Sequence, residues 1–295
     1  MGRTPAFAGS WVVVTGASSG LGRAMAERLA EFHGANLVLV GRRRDLLDSL
    51  AAKVRGHGRE ARVMALDLSA AADTASLIAE VDGMADIAAV VLCAGITYFG
   101  DAMAMSPAEI ERVNSLNVSS TATLLLGFAR IFGEQRVPGR ILVVSSMSAL
   151  IPLPFQAAYS ASKSYIRSLV IALRAEWTRS DISMTIAYPL GMDTEMTRGS
   201  GLQKLVEGKK FGSIPVTRCA DRAIDDLIRR RPVSLVGLTS RILYVLAMMV
   251  PDTWLTQIAG RVYKNAWVKQ GAVSLSSNDG SLDDSGVCRH EGPKF

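Results

Sequence analysis

The chain predicts an α/β fold: a doubly wound parallel sheet followed by a C-terminal helical extension. Three observations carry this reading. Short, apolar, β-branched runs alternate with longer stretches of helical periodicity from Trp11 onward. A glycine-rich turn, Thr15-Gly16-Ala17-Ser18-Ser19-Gly20-Leu21-Gly22, joins the first apolar run to the first helical stretch. Neither internal repeats nor an early domain boundary interrupts the alternation, which then gives way to a strongly apolar segment after residue 237.

Taken in order, Trp11 to Thr15 has the composition of a buried strand. Arg23 to Phe32 has helical spacing, with Leu21, Met25, Leu29 and Phe32 on one side. Strand, glycine turn and helix make a corner suited to a pyrophosphate. Glycines let the backbone come close, and the helix N-terminus supplies unpaired amides and a partial positive charge. Asn36 to Val40 is the second strand and runs into Gly41-Arg42-Arg43-Arg44. In a dinucleotide fold this strand end meets the adenosine ribose, where an acid would hold a free 2′-hydroxyl. The first acid here is Asp45, while Arg42 and Arg43 offer guanidinium groups that grip a 2′-phosphate. NADP(H) is therefore the expected cofactor; the other reading is that these arginines cap an exposed turn.

Asp45 to Val54 is an amphipathic helix with Leu46, Leu47, Leu50 and Val54 inward, and Gly56-His57-Gly58 breaks it. Ala61 to Leu66 is the third strand, ending in Asp67-Leu68-Ser69, where Ser69 is expected to cap the next helix. Asp67 either caps or accepts from an adenine amino group. Ile87 to Leu92 enters Cys93-Ala94-Gly95 as the fourth strand. Ser106-Pro107-Ala108-Glu109 is a capping box with proline at the first helical position. Its helix leads to Asn114 and Asn117, amides that need partners within a segment that stays apolar to Phe132. Arg140 to Val144 is the fifth strand, with Ser145-Ser146 at its tip. Ala157 to Ser180 is a long helix with Ile166, Leu169, Leu173 and Trp177 inward. Ser183 to Tyr188 and Val233 to Val236 complete the strands, the former closed by Pro189-Leu190-Gly191-Met192-Asp193-Thr194.

The chemistry gathers at Tyr159-Ser160-Ala161-Ser162-Lys163. Tyr159 and Lys163 are four residues apart, so a helix places both on one face. A nearby ammonium favours a phenolate, and the spacing predicts a Tyr159 pKa drawn down toward neutrality. Ser146, thirteen residues upstream of Tyr159, adds a hydroxyl that shares the substrate's oxygen. Ser, Tyr and Lys so arranged form a proton-transfer set for a carbonyl, and they need no metal.

Composition narrows the field. The 295 residues are 49% hydrophobic and 20% charged, enough for one large α/β domain with additions. The net charge of +6 suits anionic cofactors, acyl-carrier substrates or an anionic membrane surface. Nucleic acid is not expected, because no basic helix or aromatic strip accompanies the charge. Cys93, Cys219 and Cys288 are odd in number and far apart, and His33, His57 and His290 lack ligand spacing. Neither a disulfide framework nor a metal site follows, and a reducing, cytoplasmic location is the expectation.

These motifs, in this order, resemble the short-chain dehydrogenase/reductase family over about Ser10 to Gly237: the glycine turn, the acid after the third strand, Ser146, and Tyr159 with Lys163. The resemblance implies a Rossmann fold, usually as a homodimer or homotetramer. It implies that Tyr159 donates the proton in the reducing direction, that Ser146 binds the carbonyl oxygen, and that Lys163 holds the nicotinamide ribose and lowers the Tyr159 pKa. Asn117 would hold a water that links Lys163 to solvent. Gly16, Ser18, Ser19, Gly20, Leu21 and Gly22 would form the cofactor turn, with Ala94, Gly95 and Pro189 beside it. Thr194 would bind the nicotinamide carboxamide, Arg42 the 2′-phosphate, and Asp67 with Leu68 the adenine. Three departures stand out. Cys93 replaces an asparagine that braces the central strands, Ser19 stands where NADP-binding members tend to carry a base, and Leu190 replaces a glycine, narrowing the nicotinamide end of the pocket.

Met192 to Pro215 reads as a substrate lid with a short helical piece, Leu202 to Val206, and its Met192, Met196, Leu202 and Leu205 suit an apolar substrate. Residues 238–270 form a hydrophobic helical extension. Ile242 to Val250 is strongly apolar but too short to span a bilayer. A second helix begins at Pro251-Asp252-Thr253 and puts Trp254, Leu255, Ile258 and Val262 on one face, with Arg261, Lys264 and Lys269 elsewhere. The segment 242–268 fits peripheral contact with a membrane surface, and equally packing on its own core or a partner subunit. Residues 271–295, rich in Ser, Gly and Asp, predict disorder. The reading is an NADPH-dependent reductase of a lipophilic ketone: a 3-oxoacyl thioester, a keto-lipid, a steroid or a polyketide-like ketone. Two others stand beside it: an alcohol dehydrogenase in the oxidative direction with NAD, and a dinucleotide-binding scaffold without catalysis.

Overall fold

The computed structural model describes residues 5–178, 180–199 and 214–276. Seven strands form one sheet in the order β3-β2-β1-β4-β5-β6-β7: β1 (Trp11–Thr15), β2 (Asn36–Gly41), β3 (Ala61–Ala65), β4 (Ile87–Leu92), β5 (Arg140–Val144), β6 (Ser183–Ala187) and β7 (Val233–Ser234). Every neighbouring pair is parallel. Chain order reverses between β1 and β4, so a crevice opens beyond their carboxyl ends.

Two helical layers cover the sheet, and alternation along each strand divides the side chains between them. Val13, Val38, Val40, Val90, Ile141 and Val143 face one core, which holds α3 (Ala71–Asp82), α5 (Thr121–Glu134) and α6 (Ala157–Glu176). Val12, Val14, Leu37, Leu39, Val91 and Leu142 face the other, with α1 (Gly20–His33), α2 (Arg44–Gly56) and α8 (Val216–Ile228). Leu21, Met25 and Leu29 are buried as their spacing predicts, but Phe32 is half exposed, its ring under the Arg28 guanidinium at 5.0 Å. Ser69 does not cap α3: its hydroxyl donates to Asp67 Oδ1 at 2.7 Å, and Ala70 holds the cap position. The capping box of α4 (Pro107–Asn114) forms as expected, with Ser106 and Glu109 exchanging bonds.

Between α4 and α5 the helix widens to a π-helical turn, Ser115–Ser120, which carries Asn117 into the core. After β6 comes a short helix, α7 (Glu195–Gly199). The helical piece expected at Leu202 to Val206 lies outside the described residues. The extension is a helix pair, α9 (Gly237–Met249) and α10 (Asp252–Ser276). α10 runs past Gly271, where the sequence predicts order to end, and residues 277–295 lie outside the described residues. One side of the pair packs on the domain. Leu243, Tyr244 and Ala247 meet the first core, Tyr244 lies against Tyr188 with centroids 5.8 Å apart, and Thr256 Oγ1 donates to the Pro152 carbonyl at 3.2 Å.

Candidate active site

The glycine turn between β1 and α1 is shaped by close approach. Gly16 and Gly20 have φ of 70° and 54°, where a side chain strains the backbone. A Cβ on Gly16 would sit 3.0 Å from the Ala94 backbone, and one on Gly22 would press into the Gly16 carbonyl. Ser19 caps α1 with extended backbone, makes no side-chain cap bond, and no acid occupies the first turn. No side chain of α1 caps the amides of that turn or sets an acid beside them, which fits the phosphates of a dinucleotide, while the carboxylate that does approach, Glu195, comes from α7 and bonds Ser19.

A cleft of about 220 Å³ runs from this turn along the strand ends. Every position expected to meet a cofactor lines it: Gly16, Ser18 to Gly22, Arg42 and Arg43, Asp67 and Leu68, Ala94 and Gly95, Tyr159 and Lys163, Pro189 and Thr194. Arg42 and Arg43 differ in their surroundings. Arg43 is ion-paired to Glu195 of α7 at 2.7 Å, and its guanidinium also reaches Ser18 Oγ at 3.4 Å. Burial raises the Asp67 pKa, but bonds from the Ser69 hydroxyl and amide outweigh it with help from Arg42, and the net shift is downward. Asp67 Oδ1 thus accepts twice within its own Asp67–Ser69 turn and does not cap α3.

At the far end of the cleft, α6 is pinned to the tip of β5. Ser145 Oγ donates to the Lys163 carbonyl at 3.2 Å, Ser164 Oγ to the Ala149 carbonyl at 3.1 Å, and Lys163 Nζ to the Val144 carbonyl at 3.0 Å. These bonds bring Tyr159 against Ser146, whose hydroxyl bonds the phenol and accepts from the Ser148 amide at 3.2 Å. The ionisation differs from the expectation of a phenol made acidic by its lysine. Burial pushes Tyr159 up to about 12, and the Ser146 hydrogen bond opposes this only in part. Lys163 is pushed down to about 8, again by burial. Its ammonium lies over the Tyr159 ring, 5.8 Å from the centroid, and is spent on a carbonyl.

Asn117 is held from both ends. Its Oδ1 accepts from the Ile96 amide at 2.9 Å, while Nδ2 donates to the Ile96 carbonyl at 2.9 Å and to Ser162 Oγ at 3.1 Å. Through these three bonds its side chain braces the site. Gly95 separates Asn117 from Lys163: a Cβ there would lie 3.2 Å from Oδ1 and 3.4 Å from Nζ. The brace lost with Cys93 is supplied by Thr15, whose Oγ1 accepts from the Cys93 and Ala94 amides at 3.0 and 3.1 Å and donates to the Val91 carbonyl. Burial pushes the Cys93 thiol up to about 12, so it is inert as a nucleophile at neutral pH.

Beyond Tyr159 and Ser146 the cleft opens into a second cavity of about 280 Å³. Its walls are chiefly apolar: Met147, Ile151, Leu153, Met192 and Met196 from the domain, and Leu243, Leu255, Ile258 and Ala259 from the extension. Leu190 lines this cavity rather than the nicotinamide end of the cleft. Sequence reasoning missed Thr15, Gln156, Glu195 and Tyr263. A threonine or glutamine in an apolar run carries no signal of its own. Tyr263 lies on the extension, one position beyond the residues whose spacing marks the α10 apolar face.

Comparison with known proteins agrees with this geometry. The short chain dehydrogenase family model matches residues 10–204. The chain belongs to the short-chain dehydrogenase/reductase family. It is 33% identical over 225 residues to dehydrogenase/reductase SDR family member 7B of Bos taurus, covering 72% of this chain and 66% of that protein. It is 30% identical over 179 residues to 7beta-hydroxysteroid dehydrogenase of Clostridium sardiniense, covering 60% and 67%. The chain thus spans about two thirds of the length of these relatives. A solved short-chain dehydrogenase from Sphingobium yanoikuyae, in complex with NADPH, superposes with a TM-score of 0.71 at 25% identity, covering 94% of this chain and all of that one. As a family member the chain is an oxidoreductase, and the glycine turn, the proton-transfer set and the strand-end cleft all fall in the matched region.

Proposed function

We propose that the protein is an NADPH-dependent reductase that converts the carbonyl of a lipophilic ketone to an alcohol. The observation that carries this is the placement of a protonated Tyr159 phenol beside Ser146, where a glycine-lined cleft meets an apolar cavity. The glycine turn and the α1 amides would hold the cofactor's pyrophosphate, Arg42 and Arg43 its 2′-phosphate, and Lys163 and Thr194 its nicotinamide half. The cofactor supplies the hydride. Ser146 and Tyr159 hold the substrate oxygen and stabilise the negative charge that develops there, and Tyr159 gives it a proton. A phenol with pKa pushed up to about 12 keeps its proton at neutral pH, yet readily gives it to an alkoxide, a far stronger base. The same phenol is a poor base for alcohol oxidation, and this favours the reducing direction. The relative named for a hydroxysteroid supports a lipophilic substrate. Tyr159→Phe is expected to slow NADPH-dependent ketone reduction, read by loss of NADPH absorbance, by roughly 10²- to 10⁴-fold with NADPH binding retained. Full activity in that variant overturns the reading.

The outer side of the extension supports peripheral membrane contact. Leu238, Ile242, Val245, Met249 and Trp254 are exposed on the helix pair, with Arg241, Arg261 and Lys264 exposed beside them and Asp252 the single acid between residues 237 and 264. No helix among the described residues is long and apolar enough to cross a membrane. An amphipathic surface with basic residues suits an anionic interface. Co-sedimentation with phosphatidylserine vesicles, reduced in Trp254→Asp, is the expected result; no sedimentation of the parent protein refutes it. A homodimer or homotetramer is the assembly proposed, to be checked by light scattering.

A further inference from the structure

We propose that the apolar cavity takes a ketone carrying a second oxygen function, and that the phenol of Tyr263, delivered by the C-terminal extension, binds that oxygen. The proposal rests on the reading of the cavity as the substrate site, and it names what distinguishes the substrate within the lipophilic class.

Ser146 and Tyr159 are engaged with each other, and in the proposed reaction they take the reacting oxygen. Gln156 Nε2 donates to Thr97 Oγ1 at 2.8 Å, and Thr194 and Thr197 bond one another within the turn before α7. One hydroxyl is left over. The Tyr263 hydroxyl bonds no described residue, and Tyr263 lines the cavity, whereas the unpartnered Ser148 Oγ is closed off from it. An unpaired hydroxyl beside an apolar space is unfavourable unless a ligand completes it, and discrimination for a matching oxygen is then strong.

Tyr263 is also held in place. Its ring lies edge-on to Phe99 with centroids 6.1 Å apart, and Phe99 in turn packs on Phe155 at 6.2 Å. Gly260, one turn earlier on α10, lies over Pro154, where a Cβ would approach to 3.2 Å. Thr256 Oγ1 bonds the Pro152 carbonyl. The helix is thus seated on the loop that leads into Tyr159. Burial and the nearby Tyr159 phenol push Tyr263 up to about 12, so it meets a ligand as a neutral donor.

The test measures binding by equilibrium dialysis in a Tyr159→Phe background with excess NADPH, so that nothing turns over. The probes are two matched pairs: 2-undecanone against ethyl 3-oxodecanoate, and 5α-androstan-17-one against 5α-androstane-3,17-dione. The doubly oxygenated member of at least one pair is expected to bind about tenfold more tightly, and Tyr263→Phe, which keeps the ring on Phe99, is expected to bring that ratio to near one. A ratio that Tyr263→Phe does not change, or that is near one for both pairs at the outset, overturns the anchor. Turnover of the same ketones by the parent enzyme is scored separately: absence of reduction with a Tyr263-dependent binding ratio sinks the reductase and keeps the anchor.

Discussion

The cofactor cleft and the substrate cavity share Tyr159, Pro189, Met192, Thr194 and Met196, yet they are built differently on either side of that seam. The cleft is made by backbone. Gly16, Gly20, Gly22 and Gly95 stand where a side chain would collide or strain, and what the cleft offers a phosphate is the amides at the start of α1. The cavity is made by side chains from distant parts of the chain, around residues 97, 146–156, 189–197 and 243–263. The cleft should therefore be intolerant of small changes, and the cavity tolerant of them but sensitive to polarity.

Gly22→Ala is the sharpest test of the first half. Its methyl would press into the Gly16 carbonyl, and the turn could relieve this only by giving up the phosphate cradle. NADPH affinity is expected to fall by at least about 100-fold, with overpacking costing roughly 1–3 kcal/mol of stability. Calorimetric titration and thermal unfolding check both, and unchanged NADPH binding would break the contrast. Leu255→Asp is the matching test of the second half. It places a carboxylate in an apolar wall contributed by α10, so KM for a lipophilic ketone should rise about 30-fold while NADPH binding holds. If kcat falls and KM does not move, the extension shapes the chemistry and not the pocket.

That contrast also explains what could be read in advance. The glycine turn, Arg42 with Arg43, Ser146 and the Tyr159–Lys163 pair are local patterns, because phosphate approach and same-face helical spacing are set by a few consecutive residues. Each strand was legible to within a residue or two, and for β1, β2 and β4 the reason is a continuous apolar run that marks a strand buried on both faces. Tyr263 and Gln156 become site residues only when α10 folds back over the 150–155 loop, a long-range event that no local pattern records. Phe32 was misplaced because periodicity cannot tell the end of a buried stripe from its middle. The Tyr159 ionisation was misjudged because spacing reports which charge is near and says nothing of burial, which here is the larger effect.

The proton-transfer set sits on the seam, so its pH behaviour belongs to both halves. With Lys163 pushed down to about 8, its ammonium is lost as pH rises through that value, while Tyr159 stays protonated to about 12. The kcat/KM for reduction should be level through neutral pH and fall above about pH 8. Lys163→Arg, which keeps its charge, should lower the plateau several-fold and remove that limb. A limb that persists unchanged in the arginine variant assigns the titration elsewhere.

The smallest expected effect concerns a charged side chain that reaches the cleft's edge from the segment after β6. Glu195, at the start of α7, holds Arg43 at 2.7 Å across the glycine turn, and both side chains are about half exposed. Arg43 lowers the Glu195 pKa, chiefly through their hydrogen bond, so the carboxylate is charged at neutral pH. A 2′-phosphate must share Arg43 with that carboxylate or displace it. An exposed pair of this kind is worth about 0–1 kcal/mol, so Glu195→Gln should tighten NADPH by up to about fivefold. NADH carries no 2′-phosphate and should gain nothing, so the NADPH-to-NADH affinity ratio rises in the variant. Added salt screens the competition and should shrink the difference. A loss of NADPH affinity in Glu195→Gln would instead mean that the carboxylate keeps its hold on Arg43 with the nucleotide bound, and that the strap from β6 closes over the cofactor rather than competing with it.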